Sequence, residues 1–379
     1  MSRKPLRILH IYKDYLPVIG GIENHVRVVA RAQAVLGHHV TVVVCNPGGV
    51  LRAEEAEGVH VVRAHRLCTV LSMPISLSKP LIVARQKADI VHLHAPYPQG
   101  ELSAWLFQRE APLVMTWHSD VLRQKIALRI YAPLLRRVLG AARRVIATSP
   151  AYLNSSPWLR NVRQKCDVIP LGVDAQLFQP AAKPFAGPPT LLFVGKLRHY
   201  KGLDTLLRAM PDLPTVRLVI VGDGPMRTDW EALVGQLGLA VRVRFLGEVD
   251  DSKLPELYRR AHIFVLPSIN RAEAFGTVLL EAMASAVPCV TSELGTGTSW
   301  IVQDGQTGLV VAPRNVEALS AAIRKLFQDP ARTAAMGRAA RRRVETEFTE
   351  ATMIDRTMAL YAALLDAHAN RAKAVETLD

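Results

Sequence analysis

The chain has 379 residues, of which 49% are hydrophobic and 6% aromatic, and its formal net charge is +14. This length exceeds what one ordinary core supports, so we expect two or three domains of the soluble α/β class. Four widely spaced cysteines argue against a disulfide framework and against a C-x-x-C zinc site. No apolar run reaches membrane-spanning length and no signal peptide is recognised, so we expect a cytoplasmic protein.

The positive charge is concentrated in the first half of the chain. Residues 1–180 contain 23 Lys and Arg against 11 Asp and Glu, whereas residues 181–379 contain 24 against 22. A basic half of this kind favours nucleic acid, an anionic membrane surface or an anionic substrate as partner. An arginine-rich but otherwise ordinary soluble surface is the alternative.

Apolar strands alternate with helices through this half. One helix follows Gly20-Gly21 and extends to about Leu36, and two more are predicted over residues 72–86 and 121–144. The predicted strands are Leu6–Tyr12, Val40–Cys45, Val59–Ala64, Asp89–Ala95, Leu113–His118, Val145–Thr148 and Asp167–Leu171. Continuous apolar strands separated by helices predict a parallel sheet covered on both faces, whose ligands bind outside the carboxyl ends of the strands.

Several chemically capable residues fall at those predicted strand ends. The pair Gly20-Gly21 opens the backbone for a phosphate or a sugar, although a plain strand–helix turn has the same pattern. His118 ends a strand in polar surroundings and is a candidate substrate contact. His92 is expected in the core, and His94 is intermediate between the two.

The helix predicted over residues 121–144 has arginines on one side and Leu, Ile and Tyr on the other. The arginines that we single out are Arg136, Arg137, Arg143 and Arg144. Either this is a surface helix packed on the sheet, or its basic face meets anionic lipid head groups. The basic excess of the first half supports the second interpretation.

A Pro-, Ala- and Gly-rich segment at residues 172–189 predicts a linker, after which the strand–helix alternation begins again. The strands predicted there are Leu191–Gly195, Val216–Gly222, Val241–Leu246, His262–Pro267, Pro288–Thr291 and Leu309–Ala312. The repeat predicts two Rossmann-like halves joined near residue 180, with a ligand cleft between them.

Two carboxylates stand out in residues 268–284. Glu273 precedes the turn at Phe275-Gly276, and Glu281 lies inside the apolar helical run Thr277–Ala284. Because ionised carboxylates are rarely buried without a partner, Glu281 lies either on a solvated helix edge or in a ligand site. In the second case, the first-turn N–H groups bind an anion and both carboxylates bind hydroxyls of a nucleotide sugar.

The order of these signals resembles the retaining glycosyltransferases of family 4, of the bacterial cell-surface polysaccharide and glycolipid type. The matching motifs are Gly-Gly-x-Glu (Gly20, Gly21, Glu23), IPLGVD (Ile169–Asp174) with Phe178, GKLxxxKG (Gly195–Gly202), GDGP (Gly222–Pro225), the Glu-x7-Glu pair (Glu273, Glu281) and DGxTGLVV (Asp304–Val311). Each motif is weak alone, but their joint order and spacing are specific and extend over essentially the whole chain.

The resemblance implies the α/β GT-B fold, in which two Rossmann-like parallel-sheet domains face a central cleft. Residues 1–178 would form the acceptor-side domain, with a C-terminal helix at about 356–379 crossing back onto it. Residues 179–355 would form the nucleotide-sugar-binding domain.

Roles for individual residues follow from the same resemblance. Lys196 and Lys201 would hold the donor diphosphate, although the family usually has arginine where this chain has Lys196, and a point charge there replaces a bidentate fork. Glu281 would bind the ribose hydroxyls, and the base would lie near Leu246 and Val249. The catalytic candidates are Glu273, His118, Lys201 and Lys196. The donor-binding candidates are Gly20, Gly21, Gly195, Lys196, Lys201, Gly222, Ala274, Phe275, Gly276, Thr277 and Glu281.

The implied reaction moves a mannosyl or glucosyl group from a UDP- or GDP-sugar to a lipid-linked or polysaccharide acceptor with retention. Two lysines, helix N-termini and backbone N–H groups stabilise a diphosphate leaving group without a metal, and the chain has no Asp-x-Asp motif, so no metal or other cofactor is predicted. The resemblance implies a front-side displacement in which the leaving phosphate takes the acceptor proton. Glu273 is not assigned as a nucleophile.

Two other functions stay open on the sequence. A nucleotide-sugar epimerase or a phosphorylase would keep the fold and change the reaction. A non-catalytic basic protein that binds membrane or nucleic acid would explain the charge but not the carboxylate pair. With the transferase interpretation, we expect an enzyme peripheral to the inner face of the membrane and no nucleic-acid partner.

Overall fold

The computed structural model describes residues 4–18, 20–70, 73–120, 125–183 and 185–376. The chain divides into two compact units. The first comprises Met1–Thr148, Ser156–Ile169 and Met353–Asp379, and the second comprises Ser149–Ser155 and Pro170–Thr352.

The boundary between the units lies earlier than the one predicted after residue 178. The segment that we expected to be a linker is built into the second unit from its start, because Val173 forms a bridge with Thr349 and Phe178 is buried in the second core. Arg341 also donates hydrogen bonds to the carbonyl oxygens of Ala175 and Phe178. A Pro- and Gly-rich composition therefore marked irregular backbone here, and did not mark a free connection.

The first unit is built on an eight-stranded sheet in which all neighbouring strands except one edge pair are parallel. Its strands are β1 (Arg7–Ile11), β2 (His39–Cys45), β3 (Arg52–Ala56), β4 (Val59–Ala64), β7 (Ile90–Ala95), β8 (Leu113–Trp117), β9 (Arg144–Ala147) and β10 (Cys166–Val168), and a separate hairpin is formed by β5 (Cys68–Val70) and β6 (Met73–Ile75). The order across the sheet is β10-β9-β8-β7-β1-β2-β4-β3, and β3 is the antiparallel edge strand. Every strand predicted in this half is present, whereas β3 and the hairpin were not predicted.

Among the described residues, five α-helices belong wholly or mostly to this unit. They are α1 (Gly21–Val35), α2 (Lys79–Arg85), α3 (Pro98–Phe107), α4 (Lys125–Ala141) and α13 (Glu350–Glu376). The helix α13 starts before the predicted residue 356, and its residues from Met353 onward belong to the first unit. Its inner side chains Met353, Ile354 and Tyr361 pack in one core cluster with apolar residues of β1, β7, β8 and α1.

Two helix predictions in this unit need correction. The helix predicted over residues 72–86 starts only at Lys79, because Pro74 pairs with Thr69 in the hairpin and the Ser76 hydroxyl accepts a hydrogen bond from the Lys79 N–H. The helix predicted over residues 121–144 is described from Lys125 and ends at Ala141. Residues 72, 121–124 and 377–379 of the predicted helices lie outside the described residues. Within the described residues, no helix is both long and apolar enough to cross a bilayer.

The second unit contains a six-stranded, fully parallel sheet. Its strands are β11 (Thr190–Val194), β12 (Arg217–Val221), β13 (Val243–Gly247), β14 (Ile263–Leu266), β15 (Cys289–Ser292) and β16 (Gly308–Val311), in the order β13-β12-β11-β14-β15-β16. Its helices are α5 (Pro150–Ser155), α6 (Leu203–Ala209), α7 (Arg227–Gln236), α8 (Leu254–Arg259), α9 (Thr277–Ala284), α10 (Gly297–Ile301), α11 (Val316–Gln328) and α12 (Pro330–Glu347). The order reverses beside β11, so the loops that follow β11 and β14 leave the sheet at a topological switch point.

Candidate functional site

The loop after β11 brings a buried lysine against a glycine. Gly195 has φ +151, and a Cβ placed there would lie 3.4 Å from Cε and 3.5 Å from Nζ of Lys201. Gly202 closes the loop at φ +66, where a Cβ would lie 2.2 Å from the carbonyl oxygen of Pro267. The positive φ therefore favours glycine at both positions, and at Gly202 close packing against backbone requires it as well. Lys196, at the other end of the loop, has an exposed side chain.

A buried ion pair joins this loop to the one after β14. Lys201 Nζ lies 2.6 Å from Glu273 Oε2, and both side chains are 9% exposed. The same carboxylate oxygen accepts a hydrogen bond from the Ser268 hydroxyl at 3.0 Å. Burial lowers the pKa of Lys201, but the Glu273 carboxylate and Tyr200 outweigh it, so that this pKa is raised and the amine is charged. The two residues that the sequence placed at a diphosphate and at a sugar are thus direct partners.

The loop that carries Glu273 is braced by the residues that precede α10. Thr296 donates from its hydroxyl to the carbonyl oxygen of Glu273 at 2.8 Å, and the Gly297 N–H donates to the carbonyl oxygen of Ala274 at 2.8 Å. Gly276 then takes φ +84 as the residue that immediately precedes α9. Ala274, Phe275 and Gly276 are buried, and Thr277 is half-buried as the first residue of that helix.

The second carboxylate of the pair lies one turn into α9. Glu281 is half-buried and its Oε2 accepts a hydrogen bond from the Tyr258 hydroxyl at 2.7 Å. Burial raises the pKa of Glu281 to about 7, against the hydrogen bond from Tyr258, which lowers it. Of the two alternatives for Glu281, the structure does not show a freely solvated helix edge, because Tyr258 from α8 covers one oxygen, and the ligand site stays a prediction.

The other positions predicted in this unit follow β12 and β13. Gly222 has φ +118, and a Cβ there would lie 2.2 Å from the carbonyl oxygen of Gly195, so only glycine fits between the two loops. Its N–H donates to the carbonyl oxygen of Gly247 at 2.7 Å. Leu246 and Val249 are partly buried and pack against the core of the second unit, on either side of Gly247 in the sequence. The four loops that follow β11, β12, β13 and β14 therefore meet at one edge of the sheet.

In the first unit, the glycine pair stands at the start of α1. Gly20 is extended, and a Cβ there would lie 2.2 Å from Oε2 of Glu23, so a side chain at this position would require the flexible end of Glu23 to move. Gly21 is the first residue of the helix, and a Cβ there would meet no atom of the described residues within 4 Å. Packing against the described residues therefore requires glycine at neither position.

His118 lies at the edge of a buried group of histidines in the same unit. Its Nε2 lies 3.1 Å from Nδ1 of His94, and the His94 Nε2 lies 3.0 Å from Nδ1 of His10. His25 packs edge-to-face against His118, with ring centroids 5.0 Å apart. Burial lowers the pKa of His118 and of His94 well below the ordinary value, so these imidazoles are neutral. His92 is buried, as predicted.

The spacing of these nitrogens also matches a metal ligand set. The sets His10, His92, His94 and His25, His94, His118 each bring three ring nitrogens within 4.8 Å of one another. The nitrogens of the first set already have protein partners, since His92 contacts the Tyr361 hydroxyl and the Thr116 hydroxyl. In the second set, Nδ1 of His94 and Nε2 of His118 face each other as a hydrogen-bonded pair. Nε2 of His25 has no hydrogen-bond partner among the described residues, so only the first set fits a hydrogen-bonded network better than an ion site.

The arginines singled out for a membrane surface do not all belong to one face. Arg136 and Arg137 are exposed on α4, and Arg143 is exposed just after it. Arg144 instead begins β9 and forms an ion pair with Asp167 at 3.7 Å. The exposed face of α4 also carries Ile130, which is 81% exposed.

Sequence reasoning missed the residues that hold the candidates in place. These are Tyr258, Ser268 and Thr296 in the second unit, and His10, Gln33 and Tyr361 in the first. Ser268 directly follows a predicted strand and could have been singled out by that position. Tyr258 and Tyr361 lie in ordinary amphipathic helices, where one tyrosine among apolar residues carries no signal before the partner is known.

Comparison with known proteins connects both units to enzymes of sugar transfer. Residues 19–177 match the family model described as Glycosyltransferase Family 4, and residues 176–343 match the model described as Glycosyl transferases group 1. The chain is 37% identical to the D-rhamnosyltransferase WbpZ of Pseudomonas aeruginosa, over 91% of this chain and 92% of that protein. It is 34% identical to O-antigen chain mannosyltransferase C of Escherichia coli, over 95% of this chain and 99% of that protein.

Solved structures agree on the fold. A sucrose-phosphate synthase from Thermosynechococcus elongatus superposes with a TM-score of 0.80 at 26% identity, covering 96% of this chain and all of that one. The Anabaena protein HepE in complex with UDP-glucose superposes with a TM-score of 0.76 at 19% identity, covering 94% of this chain and all of that one.

The pKa of Glu281 predicts a pH-dependent stability. Because the folded pKa is raised from 4.5 to about 7, the protonated carboxyl stabilises the fold below pH 4.5, and this contribution is lost as the pH rises through 7. The free energy of unfolding of wild type minus that of Glu281→Gln should therefore fall across that window, with a slope of up to about 1.4 kcal/mol per pH unit. Urea unfolding at several pH values measures it.

An exposed carboxylate supplies the opposite-sign control. The pKa of Glu256 is lowered by its hydrogen bonds from Arg260 and Arg259. The same difference for Glu256→Gln should fall as the pH drops toward acid. A difference for Glu281→Gln that does not change between pH 4.5 and 7 would show that Glu281 is not the shifted group.

Proposed function

Because the chain belongs to the family 4 glycosyltransferases and has the GT-B fold, we propose that it moves a hexosyl group from a nucleoside-diphosphate sugar to a lipid-linked or polysaccharide acceptor. The transfer retains the anomeric configuration and needs no metal. The observation that carries this proposal is the buried pair of Lys201 and Glu273 at the edge where glycine loops end four parallel strands. Ligands of parallel α/β sheets bind at such an edge.

The lysine loop suits a diphosphate. An ammonium has three N–H donors, and one contact to Glu273 leaves donors for phosphate oxygens. Gly195 lets a ligand approach the backbone beside Nζ of Lys201, and the exposed Lys196 adds a second positive charge to the same loop. Fixed cations and backbone N–H groups at a leaving diphosphate stabilise the charge that develops there, which is why we propose no metal.

The second carboxylate suits a ribose. Tyr258 occupies Oε2 of Glu281 and thereby fixes the side chain, while Oε1 remains for the hydroxyl groups of a nucleoside. Hydrogen bonds from hydroxyls are stronger to the ionised form of a carboxyl group. Nucleotide binding should therefore strengthen as the pH rises through the pKa of about 7.

The donor sugar is proposed to have the manno configuration. The names of the two relatives above denote transfer of D-rhamnose and of mannose, and D-rhamnose is the 6-deoxy form of D-mannose. This favours a mannosyl-type group over a glucosyl-type group. The relative named for O-antigen chains also favours a growing, lipid-linked glycan as the acceptor.

A lipid-linked acceptor makes the exposed face of α4 relevant. Arg136 and Arg137 on that face, with the nearby Arg143, provide positive charge, and the exposed Ile130 provides an apolar group. Basic residues beside an apolar side chain favour an anionic membrane interface. We therefore propose that this face contacts the membrane in which the acceptor is anchored.

Retention is proposed to proceed by front-side displacement. The bond from the anomeric carbon to the diphosphate oxygen breaks, the acceptor oxygen attacks the same face, and the departing phosphate oxygen takes the acceptor proton. Glu273 is engaged by Lys201 and Ser268, so we assign it to holding the lysine and the sugar, and not to nucleophilic attack. Gly21, a predicted donor-binding residue, and His118, a predicted substrate contact, belong to the first unit, and both stay predictions.

The test is acceptor-dependent release of nucleoside diphosphate. Purified protein is incubated in EDTA with GDP- and UDP-hexoses, with and without a lipid-linked glycan, and the linkage is identified by NMR. The proposal expects release only with acceptor, apart from slow hydrolysis, and an α-linked product from an α-configured donor. Interconversion of donors without acceptor would indicate an epimerase, and absence of all turnover would indicate a binding protein.

Removing the lysine should weaken donor binding. Removal of Lys201 alone also leaves Glu273 buried without its partner, so the double variant Lys201→Met with Glu273→Gln separates lost affinity from lost stability. We expect donor affinity to fall about tenfold to hundredfold, the effect of about 1.5–3 kcal/mol for a hydrogen bond to a charged group. Isothermal titration with the donor measures it.

The control for that experiment is Lys253→Met, because Lys253 is an exposed lysine elsewhere in the same unit. It should bind donor as wild type does. Near-normal affinity in the double variant, with a wild-type melting midpoint, would remove the diphosphate assignment of Lys201.

Neutralising the basic face should weaken membrane binding. The triple variant Arg136→Gln, Arg137→Gln, Arg143→Gln leaves Arg144 in its pair with Asp167. At about 1 kcal/mol for each basic residue near an anionic surface, binding should fall by roughly two orders of magnitude. Sedimentation with vesicles of phosphatidylglycerol and phosphatidylethanolamine measures it.

The matched control removes the same charge from the second unit, at the exposed residues Arg324, Arg338 and Arg342. It should bind vesicles much as wild type does. Equal loss in both triple variants would mean that net charge, and not the face of α4, drives association.

A further inference from the structure

A polar layer lies inside the first unit where a hydrophobic core is expected. His10 on β1 is in register with His92 on β7, and His94 on β7 is in register with Thr116 on β8. Residues two apart on a strand share a face, so these side chains line the same face as the apolar Ile8, Ile90 and Val114. That face is covered by α1 and α13, which add Gln33 and Tyr361.

The hydrogen bonds in this layer form a chain that ends at His118. His10 Nε2 lies 2.8 Å from Oε1 of Gln33, and its Nδ1 lies 3.0 Å from Nε2 of His94. His94 Nδ1 lies 3.1 Å from Nε2 of His118. Gln33, His10 and His94 are completely buried, and His118 is 5% exposed.

Proton counting gives this chain a direction. In this structure the Gln33 Oε1 faces His10, and an amide oxygen only accepts, so with this amide orientation His10 carries its proton on Nε2 and accepts at Nδ1. His94 must in turn donate from Nε2 and accept at Nδ1, and His118 must donate from Nε2. Neutral rings are what the burial favours, since it lowers the pKa of His10 to about 4 and that of His94 well below 6.5.

A second branch leaves the other end of the same amide. Gln33 Nε2 donates to the Tyr361 hydroxyl at 3.5 Å, and that hydroxyl lies 2.5 Å from Nδ1 of His92. His92 then donates from Nε2 to the Thr116 hydroxyl at 2.6 Å. With the amide oriented as it is in the structure, both branches are satisfied with one proton on each ring, and the opposite orientation would reverse the direction of every bond in both.

We propose that Gln33, His10 and His94 are positioning residues that hold His118 in one neutral tautomer, with the proton on Nε2 and the lone pair on Nδ1. The orientation of the Gln33 amide determines which nitrogen of His10 carries the proton, and each ring in turn determines the tautomer of the next one. A buried polar network stabilises a fold only while every member keeps its partner, whereas apolar residues at these positions would stabilise the fold without that condition. The network is therefore better explained by what it does to its last member.

The consequence for substrate concerns the kind of group that His118 can bind, and it rests on the proposed function. A protonated imidazole would attract a phosphate oxygen, whereas a neutral ring with its lone pair on Nδ1 accepts a hydrogen bond from a hydroxyl. This series of hydrogen bonds thus assigns His118 to a hydroxyl of the transferred sugar and not to the diphosphate.

The experiment reads the tautomer directly. Protein labelled with ¹⁵N-histidine is examined by long-range ¹H–¹⁵N correlation, with His118 assigned by the loss of its signals in His118→Asn. Wild type should show His118 protonated on Nε2 alone. Gln33→Leu, which removes the amide, should give a mixture of tautomers at His118, and Gln33→Glu, which keeps an accepting oxygen, should restore the Nε2 form.

Two further variants keep the test decisive. Tyr361→Phe breaks the second branch alone and should leave His118 unchanged. If Gln33→Leu does not fold, His10→Phe removes the ring nitrogens one step closer and should produce the same mixture. The exposed His60 and His199 serve as internal references whose signals stay constant.

Activity gives a second readout once a donor is known. Gln33→Leu should lower kcat by roughly tenfold and leave the donor KM within about twofold, because the tautomer matters more to the transferred group than to nucleotide binding. Gln33→Glu should recover most of that loss.

The outcomes separate this proposal from the proposed function. Two results would overturn the proposal that Gln33 sets the tautomer of His118, whether or not sugar is transferred. One is a wild-type His118 with its proton on Nδ1, and the other is an unchanged His118 tautomer in folded Gln33→Leu. The spectra need no substrate, so absence of transfer would leave the result on the chain intact.

Discussion

The ion pair between Lys201 and Glu273 is the contact on which the second unit's candidate site depends. Two charges that are each 9% exposed are stable only with close geometry and with further hydrogen bonds, which Ser268 and the glycine loops supply. Gly195, Gly202 and Gly222 allow the loops to contact one another. The strand order changes direction beside β11, so these loops leave the sheet at the same edge. The arrangement holds a charged lysine, paired with a carboxylate, beside the backbone of Gly195.

The candidate substrate-binding residues of the first unit are neutral groups and not charged ones. Its histidines are buried and uncharged, so they contribute directed hydrogen bonds where the second unit contributes charge. Transfer of a sugar needs both kinds of group, since the leaving diphosphate is anionic and the sugar is a neutral set of hydroxyls. On this view, the two halves of the chain differ in chemistry although both are parallel α/β sheets.

Strands with continuous apolar runs were predictable, because burial on both faces leaves no other pattern, and every predicted strand in both units is present. The motif glycines were predictable for a similar reason, since a positive φ at Gly195, Gly222 or Gly276 admits few other residues. The hydrogen-bond partners of the site residues were not predictable, because they come from distant parts of the sequence. Examples are the contact of Glu281 with Tyr258 and the series of hydrogen bonds from Gln33 to His118. Edge strand β3 and the hairpin of β5 and β6 were missed because their exposed, mixed residues lack the pattern of a buried strand.

The most direct test of the central claim is a metal-free thermal-shift panel of UDP, GDP, ADP and their common sugar conjugates. A ligand that binds only the folded state raises the melting midpoint by mass action. We expect one nucleoside diphosphate series to stabilise the wild-type protein in EDTA, and the double variant at Lys201 and Glu273 to lose most of that stabilisation. A panel in which no nucleotide moves the midpoint would contradict the assignment of a donor diphosphate to this pair.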